Sequence, residues 1–178
     1  MRVIFTHIKP ECWQYKTAYA LRKKGIKTIS ISLLASDRKI FARAFDEIIS
    51  LELKNLKPRT VFLKFIKNPL HFINFFYRLF TINADVAICQ GAPHYLAAFF
   101  IRNFKGRFPR IYFPYDLSFT RYTDPRGFIP SRELKGEKYS CKNCDAIIYK
   151  GPDTESVSYT HLRAHETSLH LVCRLLLE

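Results

Sequence analysis

Short apolar runs alternate with amphipathic stretches along the chain, which is typical of alternating strands and helices. Early in the chain, apolar and β-branched runs predict three strands, at residues 3–6, 27–34 and 47–51. Between the first two strands, residues 11–24 predict a helix that ends before Gly25, a residue suited to a C-terminal cap. One face of this helix carries Trp13, Thr17, Ala20 and Leu21. The strand–helix–strand opening predicts a doubly wound sheet.

The same alternation continues through the rest of the chain. It predicts strands at residues 85–90, 110–114 and 145–149 and helices at residues 93–104 and 131–143. The longest helical stretch, residues 59–82, contains Pro69, which lacks a backbone N–H and is expected to break or kink the helix. We therefore predict an α/β fold class, with a doubly wound, mostly parallel, Rossmann-like sheet.

The region of residues 54–80 combines apolar residues at helical spacing with many basic residues. The apolar set is Phe62, Phe65, Ile66, Ile73, Phe76 and Phe80, and the basic set is Lys54, Lys57, Arg59, Lys64, Lys67 and Arg78. Two interpretations follow: the region lies on anionic lipid, or its phenylalanines pack on the sheet while its lysines face water. Nucleic-acid binding is not expected, because the aromatic residues fall on predicted core faces and no known reader motif occurs.

The end of the chain, residues 157–178, resembles translated sequencing-adapter DNA. Back-translation of VSYTHLRAHET matches a transposase adapter of short-read libraries, and the last nine residues match the far end of that adapter in the same frame. We therefore expect the natural sequence to end near residue 156 and to be a truncated piece of a longer protein, and we exclude the tail from the fold. The exclusion removes a set of residues with metal-ligand spacing: His161, His165, Glu166, His170 and Cys173.

The charge of the chain is strongly positive. The formal net charge is +14, and the tail carries two arginines and two glutamates, so the excess lies in residues 1–156. This balance favours a polyanionic neighbour, such as nucleic acid, an anionic membrane surface or a phosphorylated substrate, unless it serves solubility alone. Residues 1–156 are long enough for one domain with a hydrophobic core. Four cysteines outside the tail and no signal peptide predict a reducing cytosol, and no apolar run has the roughly 18–20 residues that cross a bilayer.

Ligands of open α/β sheets bind beyond the carboxyl ends of the strands. The polar and turn-forming residues that follow the predicted strands are therefore site candidates: His7 and Lys9; Gln90, Gly91 and His94; Tyr115, Asp116 and Arg121; Lys150 and Gly151. Asp116 is the strongest candidate, because a carboxylate that ends an apolar strand is costly unless it is solvated or partnered. The alternative is that these residues form ordinary strand-end loops and that His94 lies near the start of the next helix.

Known phosphate-binding and nucleophile motifs are absent from the sequence. No GxGxxG follows the first strand, and there is no P-loop and no GxSxG. Cys141 and Cys144 form a single CxxC, whereas a zinc ribbon needs a second pair and a redox motif opens a helix after a strand. We expect two buried or half-buried cysteines there, with zinc or redox chemistry as the alternative, and we predict no metal site.

Six segments carry a likeness to one enzyme family: MRVIFT, ALRKKG, KTISISLL, ADVAICQG, PRIYFPYDL and CDAIIYKG. Together they resemble the N-terminal half of a GT-B glycosyltransferase of the family-4-like group, and they extend over residues 1 to about 155. Two places depart from the family. Many relatives have a His-Asp pair where this chain has Tyr115-Asp116, and many have a glycine-rich loop where it has residues 7–10.

The resemblance implies one half of a GT-B architecture, in which this half holds the acceptor and a missing C-terminal half binds most of the nucleotide-sugar donor. It implies Asp116 and His94 as catalytic residues that position or activate the acceptor hydroxyl. The acceptor-binding residues would be His7, Lys9, Gln90, Gly91, Tyr115, Arg121 and Gly151. No cofactor is expected beyond the donor.

The resemblance also implies a setting for the parent enzyme. Its acceptor would be a sugar or a lipid-linked molecule in surface polysaccharide or glycolipid synthesis. The enzyme would be cytoplasmic and peripheral at the inner membrane face, and the fragment alone would be inactive. The alternative is a non-enzymatic doubly wound domain that responds to a nucleotide or binds another protein.

Overall fold

The computed structural model describes residues 1–8, 12–34, 42–55, 57–91, 93–114 and 131–148. The elements follow one another as β1 (Arg2–His7), α1 (Cys12–Lys23), β2 (Lys27–Leu34), β3 (Glu47–Leu53), α2 (Pro58–Lys67), α3 (Pro69–Thr81), β4 (Val86–Gln90), α4 (His94–Asn103), β5 (Arg110–Phe113), α5 (Ser131–Asn143) and β6 (Ala146–Ile147).

The strands form a six-stranded parallel sheet in the order β3-β2-β1-β4-β5-β6. β1 pairs with β2 from Arg2 opposite Lys27 to His7 opposite Ser32. Because parallel neighbours cannot be joined by a tight hairpin, longer connections separate them in the sequence. Among the described elements, α1 lies between β1 and β2, and α5 lies between β5 and β6. The predicted α/β fold with a doubly wound, Rossmann-like sheet is confirmed. The main difference in bounds is β6, which is two residues long where the apolar run predicted five.

The chain divides into two compact units, Met1–Ile88 and Cys89–Glu178. In the first unit a buried cluster forms around β1 and α1, and it consists of Val3, Phe5, Ala18, Ala44 and Phe45. The rings of Phe5 and Phe45 meet edge to face with their centroids 5.7 Å apart. Burial of these apolar side chains is the main favourable contribution to the folding of this unit.

The face that α1 turns toward the sheet differs from the predicted one. Gln14 and Ala18 are buried and Leu21 packs against the core cluster, whereas Thr17 and Ala20 are exposed. The buried positions follow the i, i+4, i+7 spacing of one helix face, so the predicted grouping was wrong for Thr17 and Ala20. The side chain of Trp13 lies outside the described residues. Gly25 follows the helix at φ 76°, as expected of a glycine cap.

The predicted break at Pro69 is confirmed. α2 ends at Lys67, and Pro69 occupies the first turn of α3. Between them, Asn68 has φ −141° and ψ 65°, which is outside the helical region. The chain therefore forms two helices where the apolar spacing alone suggested one long helix.

The packing of α3 uses other apolar residues than the predicted set. α3 buries Phe72, Phe75 and Leu79, and it packs against β3. All six residues of the predicted apolar set are exposed instead: Phe62, Phe65, Ile66, Ile73, Phe76 and Phe80. Phenylalanines of α3 do pack on the sheet, as one interpretation held, but they are Phe72 and Phe75. The predicted apolar set was wrong, because its residues face outward instead. Arg78 of α3 helps to hold this orientation through a 2.5 Å contact with Glu47 of β3.

Aspartates precede three of the strands and fix their register in the same way. Each accepts, at Oδ2, a hydrogen bond from a backbone N–H in the neighbouring strand: Asp46 from Thr28 at 2.8 Å, Asp85 from Arg2 at 2.6 Å and Asp145 from Arg110 at 2.7 Å. The backbone N–H of each aspartate donates in return to the carbonyl of the same neighbour. These reciprocal pairs satisfy backbone groups at the amino ends of the strands.

The contact between Asp145 and Arg110 also includes the Arg110 side chain. Its carboxylate receives Nε and Nη2 of Arg110 at 2.8 and 2.9 Å, while Nη1 donates to the carbonyl of Ile101 at 3.2 Å. Hydrogen bonding to Arg110 lowers the pKa of Asp145, and the same bond raises the pKa of Arg110. The Arg110 side chain is only 9 % exposed, so the carboxylate of Asp145 compensates a positive charge that is largely removed from water.

In the second unit α4 packs closely against α5 at Gly136. A Cβ atom on Gly136 would lie 2.5 Å from the backbone nitrogen of Tyr95. Backbone atoms cannot yield in the way that a flexible side chain can, so this approach of the two helices requires glycine.

We expect Asp145→Ala to lower the free energy of unfolding by about 1–3 kcal/mol, because it leaves the buried guanidinium of Arg110 without its partner. Asp85→Ala removes the matching backbone hydrogen bond, but the Asp85 carboxylate is more exposed and pairs with no buried arginine among the described residues. This variant should therefore lower the free energy of unfolding by less. Urea unfolding of both variants at neutral pH measures the difference. Equal losses would show that pairing with Arg110 adds nothing to the backbone contact.

Candidate functional site

The carboxyl end of β4 carries three of the predicted site residues. Gln90 is the last residue of β4 and is buried. The backbone N–H of Gly91 donates to the carbonyl of Phe113 at 2.8 Å, which links it to the end of β5. His94 is the first residue of α4 and is also buried. All three lie in the second unit.

The imidazole of His94 is hydrogen-bonded to a tyrosine. Its Nδ1 lies 2.5 Å from Oη of Tyr112, which is fully buried in β5. Burial, reinforced by the nearby Cys141 and Glu137, raises the pKa of Tyr112 well above its usual value. Tyr112 therefore remains a neutral phenol at neutral pH. When it donates its proton to Nδ1, the neutral imidazole carries its own proton on Nε2.

Gly91 leaves the space that this pair occupies. A Cβ atom on Gly91 would lie 2.7 Å from Oη and 2.8 Å from Cε2 of Tyr112, and 3.0 Å from Nδ1 of His94. Any side chain at this position would displace the hydrogen-bonded pair. The close approach of Tyr112 and His94 thus accounts for the glycine at the end of this strand.

A carboxylate from α5 caps the first turn of α4. Oε2 of Glu133 accepts the backbone N–H of His94 at 2.8 Å, whereas Pro93 at the N-cap position forms no side-chain cap. The negative charge lies at the positive end of the helix dipole. Helix ends of this kind often receive a phosphate group, and here the carboxylate of Glu133 takes that position.

These contacts give His94 one fixed orientation. Tyr112 holds the ring at Nδ1, Glu133 holds the backbone, and Gly91 allows their approach. Such an imidazole can orient a hydroxyl group by a hydrogen bond from Nε2–H. It can act as a base at Nε2 only in the other proton arrangement, in which Nδ1–H donates to Tyr112.

His7 lies in the first unit, at the carboxyl end of β1, and is 1 % exposed. Its Nε2 lies 2.9 Å from Oγ of Ser30, and its register partner in β2 is Ser32. Among the described residues, Nδ1 of His7 and Oγ of Ser32 are buried without a hydrogen-bond partner. Both atoms are shielded from solvent near the carboxyl ends of the paired strands.

Burial determines the charge state of His7. Desolvation lowers its pKa from 6.5 to about 3, so the ring is neutral at neutral pH. The neutral ring is hydrogen-bonded to the Ser30 hydroxyl. It cannot provide the positive charge that would attract a phosphate group.

Several predicted site residues fall outside the described residues. They are Lys9, Tyr115, Asp116, Arg121 and Gly151, together with Lys150. The tail residues His161, His165, Glu166, His170 and Cys173 lie outside them as well. The catalytic prediction for Asp116 and the acceptor-binding predictions for these residues stay predictions.

The CxxC pair is half-buried, as expected. Cys141 and Cys144 are free thiols at the end of α5, and burial raises the pKa of Cys144 to about 11 and that of Cys141 further. Reactive redox cysteines have a lowered pKa instead. Within the described ranges, no group of three or more His, Cys, Asp or Glu residues is arranged to hold a metal ion.

Sequence reasoning missed Tyr112 and Glu133. Tyr112 lies inside an apolar run that predicts only a strand, although a buried tyrosine hydroxyl needs a hydrogen-bond partner. Glu133 lies three residues into a helix whose neighbour in space could not be read from the sequence. The sequence does contain one indication of this contact: Tyr112 lies in a predicted strand, and His94 follows the end of another.

No family model matches this chain, and no curated protein matches it.

We expect Gly91→Ala to destabilise the protein by about 1–3 kcal/mol, the usual range for added volume in a packed core. Tyr112→Phe removes the atom nearest to the new methyl group, so Gly91→Ala should cost less in that background. Urea unfolding of both single variants and the double variant gives the coupling free energy. Additive losses would show that Gly91 is not required by the tyrosine hydroxyl.

Acid should destabilise the protein through His7. The unfolded chain binds a proton at this residue near pH 6.5 and the folded chain near pH 3, so the unfolded state binds more protons between these values. The free energy of unfolding should therefore fall as the pH drops through this window, by up to about 1.4 kcal/mol per pH unit. His7→Asn should show a shallower fall in urea unfolding across the same window, and an unchanged slope would contradict the assignment.

Proposed function

We propose that residues 1–156 form the acceptor-side domain of a GT-B glycosyltransferase of the family-4-like group. The reaction would transfer a sugar from a nucleotide-sugar to an acceptor hydroxyl. The observation that carries the proposal is the end of β4, where His94 is buried and held by Tyr112 and Glu133. In parallel α/β sheets this edge is where ligands bind.

The cap on α4 favours an acceptor over a nucleotide at this strand end. The phosphates of a nucleotide would meet the carboxylate of Glu133, which already accepts the backbone N–H of His94. A sugar hydroxyl has no charge and can exchange hydrogen bonds with a neutral imidazole. This contrast supports the glycosyltransferase over a nucleotide-responsive domain.

Asp116 would act on the acceptor hydroxyl as a base or positioning group, and His94 would orient it. The donor would bind mainly to a second Rossmann-like half encoded downstream. A lipid-linked acceptor would place the enzyme in the cytoplasm, at the inner face of the membrane.

The downstream coding sequence in the source DNA tests the proposal directly. We expect a second Rossmann-like half with the pair of glutamates that contacts the donor in this family. An output domain in its place would overturn the proposal. So would turnover of a nucleotide-sugar by the 178-residue chain alone at an ordinary enzymatic rate, about 1–10³ per second.

In the extended protein we expect Asp116→Asn to lower sugar transfer by about 10²–10⁴-fold, the usual contribution of a general base. Nucleotide-sugar binding should remain, since the donor lies on the other half. Release of nucleoside diphosphate from a panel of nucleotide-sugars provides the assay, and Asp124→Asn is a matched control from the same segment. Equal activity of the two variants would remove Asp116 from the mechanism.

A further inference from the structure

The outer surface of α2 and α3 is unusually apolar. Nine of the twelve large hydrophobic side chains that are exposed in the described residues lie on these two helices. We call them the apolar outer surface: Phe62, Leu63, Phe65, Ile66, Leu70, Ile73, Phe76, Tyr77 and Phe80. Contiguous apolar surface of this kind marks an interaction site in a folded protein.

α3 is apolar on two sides. One row, Phe72, Phe75 and Leu79, is buried toward the sheet. Another row at the same helical spacing, Ile73, Tyr77 and Phe80, faces outward, and Ile73 and Tyr77 are 60 % and 66 % exposed. A helix with a single buried face would be polar on its outer side. α2 extends this surface, since it buries no residue at all.

The segment that contains α2 and α3 carries charges of one sign. Residues 53–84 contain six Lys or Arg residues and no Asp or Glu. Lys64 and Arg78 bond to β3 residues, at the carbonyl of Glu52 and the carboxylate of Glu47. The other four are exposed and form no ion pair with a described residue: Lys54, Lys57, Arg59 and Lys67. The surface thus combines apolar side chains with free positive charge.

We propose that the apolar outer surface binds an anionic lipid bilayer, with α2 and α3 lying in the interface and their basic residues at the headgroups. This combination of an apolar face and Lys/Arg residues is that of interfacial helices. In the described part of the chain, no helix is long and apolar enough to cross a membrane. The proposal deepens the membrane location proposed above and does not depend on the transfer reaction.

Two other occupants fit this surface less well. A second copy of the chain would bring the same positive charges against each other, which opposes association. A nucleic acid would match the charge and could stack on the five aromatic side chains of this surface, but it would leave the aliphatic Leu63, Ile66, Leu70 and Ile73 without an apolar partner. Acyl chains match the aliphatic and aromatic side chains alike.

The test is co-sedimentation of the 178-residue chain with two kinds of vesicle. One is phosphatidylcholine alone, and the other is an equal mixture of phosphatidylcholine and phosphatidylglycerol. We expect binding to the mixed vesicles and little binding to the neutral ones, with weaker binding at high salt. Equal binding to both, or none to either, would overturn the proposal.

Two sets of variants separate the apolar and the charged contributions. Lys57→Gln, Arg59→Gln and Lys67→Gln together should weaken binding to the mixed vesicles by about a hundredfold, at about fivefold per basic residue. Lys24→Gln, Lys27→Gln and Lys105→Gln form the matched control and should have a much smaller effect. Equal losses in the two sets would show general charge attraction and overturn the proposed surface.

Phe62→Ser, Ile66→Ser, Ile73→Ser and Tyr77→Ser remove exposed side chains, so circular dichroism and urea unfolding should remain close to wild type. Binding to the mixed vesicles should fall to the background, whereas Tyr19→Ser with Phe99→Ser should leave it unchanged. Analytical ultracentrifugation without lipid should show a monomer. A dimer that these four substitutions abolish, or binding to single-stranded RNA in preference to vesicles, would assign the surface to that other occupant.

The experiments distinguish a failure of the membrane proposal from a failure of the proposed glycosyltransferase function. Lipid binding is measured without a sugar donor, so it can hold when no glycosyl transfer is found. If the extended protein transfers sugar but the apolar variant retains full vesicle binding, only the membrane proposal fails.

Discussion

Parallel pairing of the strands is the constraint on which the rest of this structure depends. Parallel neighbours cannot be joined by tight turns and need longer connections, such as the one between β1 and β2 that contains α1. The same pairing brings the carboxyl ends of the strands to one edge, so each strand can present a polar residue where its apolar run stops. His7 after β1 and His94 after β4 occupy such positions, each held by its own hydrogen bonds within its own unit.

The aspartates at the amino ends show how a family-like sequence pattern can have a structural cause. The segments ADVAICQG and CDAIIYKG each have an aspartate as their second residue, and it accepts the backbone N–H of a neighbouring strand. Any parallel sheet that starts a strand in this way gains the same hydrogen bonds, whatever its function. These segments therefore indicate the fold more strongly than the reaction. The polar residues at the opposite ends of the strands bear more directly on function.

The two candidate sites and the apolar outer surface differ in what holds them. The Gly91–Tyr112–His94 contact is set by close packing, and one added methyl group would disturb it. The apolar outer surface has no such constraint within the described residues, because α2 buries none of its side chains. The packing of the fold therefore does not explain why this surface is apolar. A partner outside the described residues does explain it, and we propose that this partner is a bilayer.

The periodicity of the sequence determined the order of strands and helices, the break at Pro69 and the parallel α/β class, because each depends on local spacing or on one residue's backbone chemistry. It also placed Gln90, Gly91 and His94 at one strand end. Only the tertiary structure decided which apolar row of α3 is buried, since both rows have helical spacing and similar hydrophobicity. It alone brought Tyr112 and Glu133 to His94, because those contacts join residues 18 and 39 positions apart in the chain.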